Sequence, residues 1–578
     1  MNSKRFVPNW YEETAPLQSY RALFKWGDLS SFKHPNQRLF ELMREAFHMV
    51  DTDFGKPIDL GLEKFELEIP TQIKNEHFSF FVNLLGKENV ITDTFTRVKA
   101  SYGKGMIDQL RLRKKIVENL PDVVLWPEKK EHIQSIVSYC DDHKLPVYIF
   151  GGGSTVTRGI EAVKGGVCLD LSKRFNKILH INEINQTVTV QAGISGPALE
   201  DGLNNAKIKF GKSDNYTCGH FPQSFEFSSV GGWVVTRGAG QNSTYYGKIE
   251  DMVLAQEYIT PRGVFKSNPF PRKATGPGVD ALMIGSEGSY GVLTEVTLKI
   301  FRYLPQNRRY YSYMFRNWED ALMACREVMQ GEIGKPSVFR LSDAEETDVA
   351  MKLYGVDGSP ADKLLQSLGF ARNKKCLLLG TTDGSAPYTK MVNRQIRKIC
   401  RKYKSFDLSL FNVAQRWEKD RFRDPYLRED LVDYGIVIDT LECAVTWEQM
   451  PKVHAYVRDF VKSHTDTICM THLSHSYEQG GNLYFIFIKK MNSIKEYLDL
   501  QYGILEHIQK SGAAISHHHG VGKQTSPWLE ENIGQFQFDL MHHVKTYLDP
   551  NNILNPGGTL GFDMNKEQKN KIWSMDLD

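Results

Sequence analysis

Apolar residues recur along this chain at two spacings, and the change from one to the other marks out a folded unit. In "PEKKEHIQSIVSYCDDHKLPVYIFGGGST", Ile133, Ile136, Val137 and Cys140 fall on one face at the 3.6-residue period, which predicts a helix ended by Leu145-Pro146. Residues 147–150 are then uniformly apolar, as in a short buried strand, and run straight into three glycines. Further on the period falls to two. Thr187, Val188, Thr189 and Val190 alternate inside "KILHINEINQTVTVQAGIS", predicting a hairpin strand, and "GPALEDGLNNA" predicts the helix after it. The glycines lead to another apolar run, "GVCLDL", so mixed strands in small α/β units are expected in place of a doubly wound parallel sheet.

Before residue 100 the pattern is helical in places, as in "QRLFELMREAFHMV", with no chemistry attached to it. Strand and helix stretches with fewer glycine clusters fill about 305–510, and "FDLMHHVKTYL" predicts a last helix stopped by Asp549-Pro550. A chain of 578 residues exceeds one ordinary core. The net charge of +3 gives no electrostatic footprint for nucleic acid. Eight scattered cysteines without a C-x-x-C pair argue for reduced thiols in an intracellular protein. The amino-terminal residues lack the apolar stretch of a signal peptide, and the longest apolar run, "LYFIFI", is far short of the roughly 20 residues a spanning helix needs. An intracellular protein, cytoplasmic or peripheral to a membrane, is expected.

Chemistry enters at the glycines. "FGGGST" ends a strand, where unhindered backbone N–H groups can converge on an anion; a tight turn is the competing reading. A dinucleotide fingerprint would require a helix next, and a Walker loop a Lys-Ser or Lys-Thr pair, so both fail. Two further glycine and hydroxyl clusters follow in "CGHFPQSFEFSSVGGWVVTRGAGQNSTYYGKIEDM" and "MIGSEGSYGVLTEVTLKI". Near the carboxyl end stands "ISHHHGVGK". Consecutive residues of an extended segment face opposite ways, so at most two of these rings address one cavity unless the chain turns there. A metal tripod, packed or surface histidines, and proton chemistry all remain open.

The three clusters at these distances, with "DPNNILNPGG" at the end, resemble the FAD-binding domain of the vanillyl-alcohol oxidase (PCMH-type) flavoproteins over roughly residues 117–303. The resemblance implies an α+β protein. Two α/β subdomains would bind FAD at 101–303, after a mostly helical extension at 1–100. A cap with an antiparallel sheet flanked by helices would span 304–515, and 516–578 would return to the flavin domain with the histidine loop. It further implies that the backbone of Gly151, Gly152, Gly153, Ser154 and Thr155 holds the FAD pyrophosphate, with Ile149 and Phe150 also binding the cofactor. Gln223, Ser224, Glu226, Ser228, Ser229, Gly231, Gly232, Thr236, Arg237, Gly238, Ala239, Glu287, Gly288, Gly291 and Val292 would line the rest of FAD.

Hydroxy-acid oxidisers of that family carry "H-x-G-D-G-N-x-H" and "E-H-G", whereas this chain has His472, His475, Asn482 and Tyr484 at the first place and "SHHHGVG" at the second. Phenol for imidazole, and imidazole for acid, weakens a divalent site, and no metal is expected. These departures, with "LPDVVLWP", "FEFSSVGGWVVTR", "YYGKIEDMV" and "PSVFRL", resemble the alkyldihydroxyacetonephosphate synthase family over most of 117–550. The resemblance implies exchange of the acyl chain of 1-acyl-dihydroxyacetone phosphate for a long-chain fatty alcohol, through a covalent adduct at flavin N5 without net oxidation. It points to Tyr484, His517, His518, His519 and His220 as catalytic and to Arg428, Arg340 and Lys523 as substrate-binding, the two arginines for the phosphate. Peripheral membrane association and a homodimer are expected with it. The alternative is an FAD-dependent oxidase or dehydrogenase of a 2-hydroxy acid or alcohol. Two departures bear on substrate geometry: Asn482 stands where animal members have cysteine, and Gln223 where they have aspartate. The family is peroxisomal in animals, and no peroxisomal signal is evident here.

Overall fold

The computed structural model describes residues 8, 10 and 12–571. A four-stranded sheet holds Val90–Ile91, Val123–Leu125, Val167–Asp170 and Val147–Phe150 in that order, the last three parallel. The expected helix is Lys130–Asp142, and the residues on its predicted face, Ile133, Ile136, Val137 and Cys140, are all buried. Beside this sheet lies an antiparallel five-stranded one, ordered Ile178–Asn182, Thr187–Gln191, Val292–Lys299, Val253–Thr260 and Gly263–Lys266. Its hairpin partner is the alternating Thr187–Gln191 strand, as its two-residue period requires.

The second half builds a seven-stranded, wholly antiparallel sheet, with Thr467–Ser474, Gly480–Lys490 and Ile436–Thr446 at one end of the order. Helices Trp318–Gln330, Ala386–Lys402, Met450–Lys462 and Ile494–Lys510 bury apolar faces in the main core, which runs without a break from the two sheets of the first half to this one. Helix Gln535–Leu548 ends at Asp549, whose carboxylate takes the N–H groups of Ile553 at 3.0 Å and Leu554 at 2.7 Å and so turns the chain back to the Val147–Phe150 strand.

The front of the chain is more than an added extension. Strand Val90–Ile91 pairs with Val123–Leu125, and Phe81 and Leu85 join the main core, so the expected boundary near residue 100 cuts through a sheet. Residues 20–34 pack on Val98, Tyr102 and Leu112 and also dock on the second half. Arg21 pairs with Asp430 at 2.9 Å and Asp433 at 3.1 Å, and Lys25 with Glu429 at 2.9 Å, all buried. All eight cysteines are buried and unpaired. Among the described residues no helix is long and apolar enough to cross a membrane.

Candidate active site

A cavity of about 340 Å³ lies where the flavin domain meets the cap, and the glycine clusters and the cap side chains line it together. That is the size and position expected of a ligand site. At one end are Ile149, Phe150, Gly151, Gly152, Gly153, Ser154 and Thr155. Their backbone is pressed against its neighbours: a Cβ at Gly152 would meet the Phe227 carbonyl oxygen at 2.0 Å, and Gly153 sits at φ +67°, where side chains are strained. Among the described residues, none of the N–H groups of 151–155 donates to a protein acceptor. Five adjacent free donors in a glycine turn form a concavity that fits a pyrophosphate.

Around this turn Gln223, Ser224, Ser229, Gly231, Gly232, Thr236, Gly238, Ala239, Glu287, Gly288 and Gly291 also reach the cavity, and four expected cofactor residues do not. The Ser228 hydroxyl accepts from Trp233 Nε1 at 2.8 Å, and Glu226 accepts from the Tyr426 hydroxyl at 3.1 Å. Arg237 is turned outward to Glu250, and Val292 is core. Trp233 and Asn555 line the cavity without having been expected; Asn555 ties the closing loop to the Gly159 and Glu287 carbonyls at 2.9 and 2.7 Å.

The three consecutive histidines are explained by two buried carboxylates, one from each half of the molecule. Glu442, on the Ile436–Thr446 strand, accepts from the Ser516 hydroxyl at 2.8 Å and from the backbone N–H groups of His517, His518 and His519 at 2.7, 3.0 and 3.0 Å. Glu287, of the flavin domain, accepts from Val521 N–H at 2.6 Å and Gly522 N–H at 2.7 Å. Burial pushes the Glu287 carboxyl up to about 7, against the pull of these two donors. The segment is therefore curled, and its rings separate. His518 and His519 line the cavity, whereas His517 turns aside to the Tyr477 hydroxyl at 2.8 Å.

On the cap sheet Tyr484 stands opposite His472 in register, their rings stacked 4.9 Å apart. Tyr484 also lies 5.9 Å from His518 and 5.5 Å from His519, centroid to centroid. His475 completes the cluster, 4.9 Å from His518, with Nδ1 2.7 Å from the Ser243 hydroxyl. His472 and His475 line the cavity, yet only His517, His518 and His519 of these loops had been expected as catalytic imidazoles. Burial lowers the pKa of His472, His475, His518 and His519; adjoining histidines and Lys248 lower His475 and His518 further, and Arg340 and Arg428 act in the same direction on His472 and His519. Burial also raises the Tyr484 phenol to about 12, although its hydroxyl donates to Thr440 Oγ1 at 3.0 Å. Neutral imidazoles thus surround a protonated phenol at pH 7.

Ligand atoms of Glu442, His517 and His518 lie within 4.8 Å of one another. Those atoms already have partners. The carboxylate holds the four donors above, and the two His517 ring nitrogens face Tyr477 and, at 3.1 Å, His518. His220 packs on Trp233 with ring centroids 4.7 Å apart, behind the cavity wall, and burial drops its pKa to about 3.

Arg340 and Arg428 both reach the cavity from the cap. Arg340 donates to Glu346, and Arg428 donates to the Lys104 carbonyl and faces Asp439 at 3.5 Å. Lys523 does not reach it. Its ammonium is fully buried on Asn555 Oδ1 at 2.8 Å and Thr559 Oγ1 at 2.9 Å, where desolvation lowers its pKa to about 7. It is bonded to the closing loop and stands outside the cavity lining.

Comparison with known proteins agrees with this layout. Residues 121–267 match the family model "FAD binding domain", and 304–559 match "FAD linked oxidases, C-terminal domain". An alkyldihydroxyacetonephosphate synthase of Dictyostelium discoideum is 29 % identical, covering 86 % of this chain and 82 % of its own. An uncharacterized FAD-linked oxidoreductase of Escherichia coli (strain K12) is 30 % identical, covering 82 % and 96 %. A solved alkyldihydroxyacetonephosphate synthase has the same fold at TM-score 0.77 and 24 % identity, covering 93 % of this chain and 99 % of its own. The chain therefore belongs to the FAD-linked oxidase family, an FAD enzyme with alkyldihydroxyacetonephosphate synthases among its homologues.

Proposed function

We propose that this enzyme replaces the acyl chain of 1-acyl-dihydroxyacetone phosphate by a long-chain fatty alcohol, releasing the fatty acid without net redox change. One observation carries the reading: neutral imidazoles, a protonated phenol and two guanidiniums converge on the cavity that the glycine cradle opens into. A phosphate dianion requires fixed cations with forked donors, and Arg428 and Arg340 supply them. Exchange at C1 requires a proton to leave that carbon and the alcohol, and one to be returned. His518 and His519, unprotonated at pH 7, accept protons; Tyr484 donates a hydrogen bond and holds its proton. FAD, when bound in the cradle formed by 151–155, supplies the electrophilic centre for the exchange.

A long-chain alcohol partitions into lipid, and we assign the docking face to helix Ala386–Lys402 of the cap and the turn beside it. Lys390, Arg394, Lys398 and Arg401 are exposed along helix Ala386–Lys402. Arg397 joins that helix to Asp407 at 3.2 Å, next to a turn whose Leu410 is 90 % exposed and Phe411 59 % exposed. Cations beside a bare apolar tip suit an anionic bilayer.

The test is purified enzyme with radiolabelled 1-palmitoyl-dihydroxyacetone phosphate and hexadecanol. Labelled palmitate released in proportion to ether formed, with the flavin absorbance unchanged at the end, is the expected result. Bleaching of the flavin by a 2-hydroxy acid under anaerobic conditions, with no exchange, would establish the redox alternative instead.

A further inference from the structure

One residue of the front segment enters the cavity. Trp26, just beyond helix Tyr20–Phe24, lines it beside Arg428. The centre of the Arg428 guanidinium lies 5.4 Å from the indole centroid, and the indole meets Phe227 of the flavin domain edge-on at 5.2 Å. Trp26 is 4 % exposed and Arg428 8 %. Even so, Trp26 Nε1–H and Arg428 Nε–H have no acceptor among the described residues. Buried N–H groups are rarely left unpaired, and two on neighbouring side chains that both line one cavity point to an acceptor that the protein does not provide.

The indole is held there by the same ion pairs that hold Arg428. Trp26 backbone N–H donates to Glu429, whose carboxylate also pairs with Lys25. Arg113 reaches Asp433 at 2.8 Å, the carboxylate that Arg21 shares. Glu429 and Asp430 lie on helix Asp424–Val432, which carries Arg428, and Asp433 caps it. The front segment is therefore tied to the Arg428 helix by buried ion pairs.

We propose that Trp26 is a substrate-positioning residue for the anionic end of the ligand. Its face fixes the plane of the Arg428 guanidinium, and its Nε1–H joins Arg428 Nε–H in binding the oxygens of a phosphate monoester. This rests on the reading given under Proposed function and adds to it a subsite built by the front of the chain.

The test titrates FAD-loaded enzyme with dihydroxyacetone phosphate, and separately with inorganic phosphate, by calorimetry. Trp26→Phe keeps the aromatic face and removes the N–H; Trp26→Ala removes both. The Kd for dihydroxyacetone phosphate and the substrate KM should rise about 3-fold in the first and roughly 10-fold or more in the second. Turnover at saturation should stay within about twofold, and the flavin content and spectrum should not change. Unchanged Kd in Trp26→Phe and Trp26→Ala with full flavin overturns the role of Trp26 while the exchange reading stands. If Trp26→Ala loses its flavin, an unchanged Kd in Trp26→Phe overturns the N–H contact, and equal loss of kcat and flavin in both overturns positioning. Wild-type enzyme that binds neither probe overturns the substrate reading and the subsite together.

Discussion

The two ends of the cavity are built in opposite ways. At the flavin end the chain offers backbone: Gly151, Gly152 and Gly153 present N–H groups with nothing between them and a ligand. At the cap end it offers side chains: His472 and Tyr484 from two strands, His475 from the turn between them, His518 and His519 from one curled loop, and Arg428 from helix Asp424–Val432. A backbone cradle must be continuous in sequence and tolerates no Cβ. A side-chain constellation is assembled from distant segments and tolerates substitution at the cost of chemistry alone. The flavin end should therefore fail by losing its ligand, and the cap end by losing rate.

The sharpest way to break this contrast is Gly152→Ala. Its Cβ would collide with the Phe227 carbonyl, a backbone atom that cannot rotate away. Flavin retention should fall roughly tenfold or more, read as the ratio of flavin to protein absorbance after gel filtration. Full flavin in this variant would remove the cradle from that turn. On the cap side, His519→Ala and Tyr484→Phe should keep the flavin and lower exchange by about 10²–10⁴. Loss of flavin in either would erase the distinction between the ends.

The same contrast governs what could be read from the sequence. "FGGGST" was legible because a cradle is a local pattern, and the Lys130–Asp142 helix because its face repeats every turn. Lys523 stands off the cavity for a physical reason. The family resemblance assigns it to the substrate, but the curl imposed by Glu287 turns it into the closing loop. His517 was grouped with its neighbours because the sequence does not show that Glu442 bends the triplet. Glu442 itself left a signal: an acid inside the apolar run "IVIDTLECAV", which it shares with Asp439, is costly to bury without donors. Trp26 left none, since its neighbours in space lie about 200 and 400 positions away.

Glu442 sharpens the comparison from the loop side. Glu442→Gln removes the charge that gathers three N–H groups and leaves some of them unpaired, costing about 2–4 kcal/mol locally. The expected readout is a lower melting temperature together with lost exchange, whereas His519→Ala should melt like the wild type. The imidazoles also set a pH signature. Because burial depresses His518 and His519 below the ordinary 6.5, they stay unprotonated as the solution is acidified past that value. The acid limb of kcat/KM, in which the cluster titrates as a unit, should have its midpoint below pH 6.5. A midpoint at or above 6.5 would mean that other groups accept the proton.

The smallest effect should come from Lys523, the residue on which the sequence and the structure disagree most directly. Lys523→Met fills the same buried channel and removes the hydrogen bonds to Asn555 and Thr559, leaving those two acceptors to find other donors. The cost should be about 1–3 kcal/mol of stability, with substrate KM within about twofold of wild type. Melting temperature and KM measured together decide the matter, because a phosphate ligand would move the second without the first. Asn555 also bridges the Gly159 and Glu287 carbonyls, so any secondary loss should appear as weaker flavin retention and place Lys523 on the backbone side of the cavity.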